Sequence, residues 1–133
     1  MDALYREEIL DLYQNPLNRG AIPQADASYE DANLLCGDSI HIDLNVDETQ
    51  HIADIKWQGA GCAISQVCAS LLTEEVKGLS LDEVRAFSKE RLLDLLGTSL
   101  TGARVKCALL SLKVLKAAAW GVPSLPTPTP HSS

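Results

Sequence analysis

The stretch SIHIDLNVDETQHIADIKWQ, residues 39–58, decides the fold of this chain. Apolar and polar side chains alternate over its first half, which is the two-residue period of a strand with one buried face. The apolar members of this first strand are Ile40, Ile42, Leu44 and Val46. The letters DETQ predict a hairpin turn, after which the chain returns with one apolar face made of Ala53, Ile55 and Trp57. Because an isolated hairpin is only marginally stable, we expect a further strand between residues 26 and 35.

Helical patterns surround this hairpin on both sides. Residues 3–14 carry an amphipathic stripe that ends at the Asn-Pro pair of residues 15–16. After the hairpin, helices are predicted at about residues 62–77, 81–88, 89–96 and 102–120. Ser80 and Glu83 form a capping box at the start of the second of these, and Gly78 and Gly97 are the expected stops. The pattern predicts an α+β domain, in which a small antiparallel three-stranded sheet has helices packed on one face.

Length and composition are those of one globular domain. The chain has 133 residues, of which 46% are apolar and 22% are charged. A net charge of -7 argues against nucleic acid and anionic membrane surfaces as partners, because binding to either needs clustered Lys and Arg. The N-terminal letters MDALYREEIL lack the basic and long apolar regions of a signal peptide. No apolar run approaches the roughly 18 residues that a membrane span needs, and we expect a cytoplasmic protein.

The end of the chain differs in composition from the rest. The last letters, GVPSLPTPTPHSS, contain four of the six prolines. Such a segment buries too little apolar surface to fold, so we expect a disordered tail. The domain boundaries are therefore predicted as residues 1–120 for the folded domain and 121–133 for the tail.

The four cysteines are Cys36, Cys62, Cys68 and Cys107. A stable disulfide framework is not expected in the reducing cytosol. Each cysteine is therefore either a small buried hydrophobic residue or a thiolate that reacts or binds metal. Cys68 lies within the apolar stripe of its predicted helix, and we assign it to the core.

The other three cysteines lie at or near junctions between predicted elements. Cys36 is separated from Asp38 by Gly37, which permits a sharp turn at the entrance of the first hairpin strand. Cys62 follows Gly-Ala-Gly at a predicted helix start, where the helix dipole lowers the pKa of a thiol.

Cys107 follows Arg104 and Lys106 near the start of the last helix, and cationic neighbours also favour a thiolate. Three thiolates and the Asp38 carboxylate would suit tetrahedral Zn²⁺ or a [2Fe–2S] cluster. Spacing alone is a weak signal, because no paired CxxC motif is present and unconnected buried cysteines would give the same pattern. His41 lies on the polar face of its strand and His51 at a turn, so we expect both to be solvated.

Four motifs follow one another along the chain: YQNPLNRG at residues 13–20, CGD at 36–38, GAGCAIS at 59–65 and RVKCA at 104–108. In this order, over roughly residues 3–119, the chain resembles the U-type iron–sulfur cluster assembly family, which includes IscU, SufU and the N-terminal domain of NifU. The resemblance implies a SufE/NifU-like fold. It also implies a site at one exposed end of the domain.

By matching motifs, the resemblance implies that a transient [2Fe–2S] cluster or Zn²⁺ is bound by Cys36, Asp38, Cys62 and Cys107. It also implies a cysteine desulfurase as sulfur donor and apo iron–sulfur proteins as acceptors, and it leaves a homo-oligomer open. Cys36 is the candidate persulfide acceptor, and Arg104 is a candidate supporting residue. A carboxylate among thiolates suits a site that must release its cluster, because oxygen matches iron–sulfide less well than a fourth Cys.

The chain departs from the IscU branch at two places. Lys106 stands where that branch has His, and SLTGARVKC replaces its Leu-Pro-Pro-Val-Lys segment, which a chaperone reads. Both features resemble SufU, although the insertion usual in SufU between the second and third motif cysteines is missing. Three hypotheses follow: a cluster scaffold, which we expect first, a zinc-dependent sulfurtransferase, and a protein-binding domain with a structural zinc.

Overall fold

The structure, a computed structural model, describes residues 7–34, 37–97, 100 and 102–122. Its elements are α1 (Glu7–Gln14), β1 (Ala27–Asn33), β2 (Asp38–Val46), β3 (Ile52–Ala60), α2 (Ala63–Glu75), α3 (Leu81–Arg85), α4 (Lys89–Leu96) and α5 (Ala103–Trp120). The three strands form one antiparallel sheet in the order β1-β2-β3. Helices α2 and α5 pack against it. The predicted α+β architecture with a three-stranded antiparallel sheet is confirmed.

The central strand β2 follows the predicted alternation. Ile40, Ile42 and Leu44 are fully buried and face the helices. The expected third strand is β1, whose residue Ala27 pairs with Leu44 and whose Asn33 pairs with Asp38. The register therefore brings the end of β1 beside the start of β2.

Strand β3 departs from the predicted pattern at its beginning. Ile52, Ile55 and Trp57 are buried, whereas Ala53 is exposed, so the prediction that Ala53 shares the apolar face is wrong. The pairing of β2 with β3 is irregular between Asn45 and Val46. An irregularity of this kind interrupts the alternation of side chains between the two faces of the sheet. The buried positions are then no longer spaced by two residues.

The helix boundaries follow local signals. The Ser80 hydroxyl accepts a hydrogen bond from the Glu83 N–H, and the Glu83 carboxylate accepts one from the Ser80 N–H, so the predicted capping box is present. Gly97 closes α4 in the left-handed conformation. Helix α3 ends at Arg85, before the predicted end at residue 88. Residues 3–6 of the predicted first helix lie outside the described residues.

The described part of the chain ends just after α5. Val122 is buried with the core, and residues 123–133 of the predicted tail lie outside the described residues. Among the described residues, no helix is both long enough and apolar enough to cross a membrane.

Candidate metal centre

Asp38 is the first residue of β2, and its side chain is buried, with 1% relative exposure. Its Oδ1 accepts a hydrogen bond of 2.7 Å from the backbone N–H of Cys62. Its Oδ2 lies 3.7 Å from the Cys62 Sγ, which donates to it. The carboxylate therefore joins the start of the central strand to the residue that precedes α2.

The close approach of Asp38 and Cys62 depends on the glycine between β3 and α2. Gly61 has a φ of +124°, and a Cβ at this position would lie 2.1 Å from the Asp38 Oδ1. Gly59 is similarly close to the neighbouring strand, because its Cβ would lie 2.4 Å from the carbonyl oxygen of Ser39. The glycines of the GAGCAIS motif thus leave space for the carboxylate and for the β2 backbone.

The third residue of the site comes from α5. Cys107 lies in the first turns of that helix and is buried. One ligand atom each from Asp38, Cys62 and Cys107 lies within 4.8 Å of the other two. Residues far apart in sequence are therefore brought together where β2, α2 and α5 meet, and Cys62 is half-buried there.

The donor set fits a soft metal ion. Two cysteine sulfurs and one carboxylate oxygen are ligands of the kind that tetrahedral zinc and iron–sulfur clusters accept. A fourth donor is predicted to be Cys36, which lies outside the described residues. Gly37, the residue that separates it from Asp38, has a φ of +71°, in agreement with the sharp turn predicted there.

The segment Leu17–Gly20 pairs with the open edge of β3 and so supports the loop that carries Cys62. The Trp57 N–H donates to the Asn18 carbonyl over 3.0 Å, and the Gly20 N–H donates to the Trp57 carbonyl over 2.9 Å. The indole N–H of Trp57 donates to the Leu17 carbonyl over 2.7 Å. These bonds attach the second half of the YQNPLNRG motif to the strand that leads into the site.

Arg19 extends this support to the glycine loop. Its Nη2 donates to the carbonyl oxygen of Gly59 over 3.1 Å, and its guanidinium lies 5.3 Å from the ring centroid of Trp57. Arg19 was not among the site residues predicted from the sequence, although it lies within the YQNPLNRG motif that carried the family resemblance. No local pattern predicts this contact, because Arg19 and Gly59 are 40 residues apart.

The remaining candidate residues lie outside the Asp38 cluster. Arg104 is exposed on the first turn of α5. Cys68 is fully buried in the core, as predicted, and burial together with the nearby Cys62 raises its pKa to about 12. A thiol with such a pKa is neutral near pH 7 and is a poor ligand.

His41 and His51 bind other partners. His41 Nε2 lies 2.7 Å from the Asp43 carboxylate, and its Nδ1 lies 3.3 Å from Glu30. His51 contacts Thr49 at the turn between β2 and β3. Both are partly exposed, and neither belongs to the cluster of Asp38, Cys62 and Cys107.

Comparison with known proteins places this arrangement in a family. The family model described as NifU-like N terminal domain matches residues 4–124. The chain belongs to the NifU-like N-terminal domain family. It is 34% identical to the zinc-dependent sulfurtransferase SufU of Bacillus subtilis, with 87% of this chain and 89% of that protein covered. It is 32% identical to the iron-sulfur cluster assembly scaffold protein IscU of Haemophilus influenzae, with 86% and 91% covered.

A further relative and a solved structure agree with this assignment. The chain is 31% identical to the nitrogen fixation protein NifU of Nostoc, but it spans only 43% of that protein's length. A protein of Fervidobacterium islandicum, described as an iron-sulfur cluster assembly scaffold for the SUF system, has a similar structure. The TM-score is 0.73 at 27% identity, and the match covers 87% of this chain and 96% of the other. The relatives of this chain thus include both scaffolds and a sulfurtransferase.

Proposed function

We propose that this protein is an iron–sulfur cluster assembly scaffold. It accepts persulfide sulfur from a cysteine desulfurase, and with two electrons per sulfur from a separate reductant it builds a [2Fe–2S] cluster as cargo and passes the cluster to apo-proteins. The ligands are Cys36, Asp38, Cys62 and Cys107. The observation that carries the proposal is the convergence of Asp38, Cys62 and Cys107, whose ligand atoms all lie within 4.8 Å of one another.

The chemistry of these side chains suits a cargo that is held and then released. Thiolates are strong ligands for iron in a cluster, whereas a carboxylate is a harder and weaker one. The Asp38 oxygen is already held by the Cys62 N–H over 2.7 Å. The carboxylate can therefore return to this hydrogen bond when the cluster leaves.

A second function is supported by a specific relative. The chain is 34% identical to a zinc-dependent sulfurtransferase over 89% of that protein's length, and Lys106 precedes Cys107 as in the SufU-like pattern. In this alternative, Cys36, Asp38, Cys62 and Cys107 would hold zinc in the resting site, and the metal would keep the cysteines as thiolates. The Cys36 thiolate attacks the outer sulfur of the desulfurase persulfide. A Cys36 S–S bond forms, the donor S–S bond breaks, and the donor cysteine leaves as a thiolate.

Anaerobic purification, followed by metal analysis and visible absorption, tests both functions. Iron with acid-labile sulfide and a charge-transfer spectrum supports the scaffold. Stoichiometric zinc without colour, together with stimulation of a cysteine desulfurase, supports the sulfurtransferase. If removal of zinc unfolds the domain and no desulfurase responds to the protein, the zinc is structural and both proposals are overturned.

Variants decide whether the three residues share one site. Asp38→Ala and Cys107→Ser should each lower the metal content. Cys68→Ala is the matched control, because Cys68 is a buried thiol outside the cluster, and it should retain the metal. Unchanged metal content in both site variants would overturn the shared site.

A further inference from the structure

An open groove of about 510 Å³ lies between the end of β1 and one face of α5. Its β1 wall includes Ala32 and Leu34. Its α5 wall consists of Lys106, Leu109, Leu110 and Lys113. Among the described residues that line the groove, none belongs to the Asp38, Cys62 and Cys107 cluster, but Lys106 directly precedes Cys107 in the chain.

The α5 wall has a regular arrangement. Its four residues are spaced at i, i+3, i+4 and i+7, so they lie on one face of the helix. The two leucines form an apolar centre, and the two lysines lie at the ends, about 10 Å apart along the helix axis by the 1.5 Å rise per residue. The α5 wall is therefore apolar in the middle and carries a lysine at each end.

The opposite wall exposes an unusual apolar side chain. Leu34 has 91% relative exposure, the highest among the exposed large apolar residues that the structure describes. Leu109, which also lines the groove, is only partly buried. Covering these two leucines would remove apolar surface from water, which favours an apolar occupant.

The charges of the groove favour an acidic occupant. Among the described residues, Lys106 has no carboxylate within ion-pair distance, and it is exposed. Lys113 pairs with Asp31 over 2.8 Å but remains 70% exposed. These cations lie on a chain whose net charge is -7, so the groove is a local site of attraction for carboxylates.

We propose that the groove binds an extended acidic segment of a partner protein. Two carboxylates four residues apart, with an apolar side chain midway between them, project from the same side of an extended chain. Such carboxylates are about 13 Å apart, which flexible lysine side chains can span. The apolar side chain then lies over Leu34, Leu109 and Leu110. The occupant is bound whether the neighbouring cysteines hold iron or zinc.

Titration of the full-length, isotopically labelled protein with short peptides tests this proposal by nuclear magnetic resonance. The probe is the peptide acetyl-Glu-Ser-Leu-Ser-Glu-amide. Saturable shifts should appear in residues 32–34 and 106–113, with a dissociation constant of about 1 mM, as expected for a short flexible ligand. Two control peptides, one with Lys in place of both Glu and one with Ser in place of Leu, should bind at least about fivefold more weakly.

Variants of the protein test the same proposal independently of the peptide sequence. Lys106→Glu should weaken binding of the probe about fivefold, because an attraction becomes a repulsion. Leu34→Ser should weaken it to a similar extent. Lys89→Glu on α4 makes the same change in net charge, but outside the groove. The affinity of this variant for the probe peptide should therefore stay within about twofold of the parent.

Several results would overturn the proposal. These are the absence of saturable shifts, equal binding of the basic peptide, or equal effects of Lys106→Glu and Lys89→Glu. Shifts in residues 32–34 and 106–113 on deletion of residues 123–133 would show that the chain's own C-terminal segment occupies the groove. Concentration-dependent shifts without peptide would assign the groove to a second copy.

Discussion

The backbone N–H of Cys62 donates to the Asp38 Oδ1 over 2.7 Å, and the Cys62 Sγ lies 3.7 Å from the Oδ2 of the same carboxylate. Asp38 thus contacts both the backbone and the side chain of its neighbour in the site. It has a structural role as well as its proposed role as a ligand. Substitutions can separate the two roles.

Replacing Asp38 tests this dual role. Asp38→Asn retains an oxygen that accepts the Cys62 N–H, so we expect nearly unchanged stability but weaker zinc binding. Asp38→Ala should also lose about 1 to 2 kcal/mol of unfolding free energy, because the buried N–H loses its acceptor. Urea unfolding of the metal-free proteins and competitive zinc titration measure the two effects. Equal destabilisation by both variants would contradict the structural role.

Gly61→Ala should disrupt the site by steric conflict. The added Cβ would lie 2.1 Å from the Asp38 Oδ1, and the backbone has a φ of +124°. Gly78→Ala is the control for positive φ alone, because Gly78 has a φ of +82° and no atom within 4 Å of an added Cβ. We expect a loss of about 1 kcal/mol for Gly78→Ala and at least about 3 kcal/mol for Gly61→Ala. Only Gly61→Ala should lower zinc content. Similar stability and zinc content in the two variants would show that the contact with Asp38 is unimportant.

Arg19→Ala should loosen the glycine loop without unfolding the domain. The variant loses a hydrogen bond to the Gly59 carbonyl and a contact with the Trp57 ring, together about 1 kcal/mol. We expect weaker zinc binding and faster amide hydrogen exchange in residues 59–62. Arg91→Ala removes a comparable arrangement, a guanidinium over Phe87 and an ion pair with Glu75. As the matched control, it should destabilise the protein without changing zinc affinity. An equal loss of zinc affinity in both variants would refute the positioning role of Arg19.

Cys68 should behave as a core residue in alkylation experiments. Burial raises its pKa to about 12, so its thiol is protonated at pH 8 and protected from reagents. Treatment of the native metal-free protein with iodoacetamide, followed by peptide mass spectrometry, should label Cys62 well before Cys68. Cys68→Ala should lower the unfolding free energy by about 1 to 2 kcal/mol through a small cavity. Rapid labelling of Cys68 under native conditions would contradict this assignment.

Asp43 should contribute to the pH dependence of stability. Burial raises the pKa of this carboxyl, but hydrogen bonds from Ser28, the Ile22 N–H and His41 outweigh burial, so the net shift is downward. A lowered pKa in the folded state means that the stabilisation is present above about pH 3.8 and is lost as the pH falls through the folded-state pKa.

The Asp43→Asn variant isolates this contribution. The difference in unfolding free energy between the parent and the variant should be largest near pH 6 and should shrink below about pH 3.8. Urea unfolding at a series of pH values measures it. Asp54→Asn on β3 is the control, because Asp54 is exposed. A difference that stays constant down to pH 2 would show that the Asp43 pKa is not shifted.

The amino-acid sequence by itself determined the local elements of this protein. The alternation of Ile40, Ile42 and Leu44 predicted β2, and the Ser80–Glu83 pair predicted the start of α3, because both patterns depend on residues close in the chain. The order of the four motifs indicated the family and the candidate ligands. These signals require no knowledge of how the elements pack.

Only the tertiary structure decided which side chains meet. Asp38 and Cys62 are 24 residues apart, and Cys107 reaches them because α5 packs across β1 and β2. Long-range pairing likewise produces three other features: the interrupted alternation at Ala53, the contact of Arg19 with Gly59 and the groove beside Leu34. Local periodicity carries no information on such contacts, because they depend on how complete elements bury their apolar faces against one another.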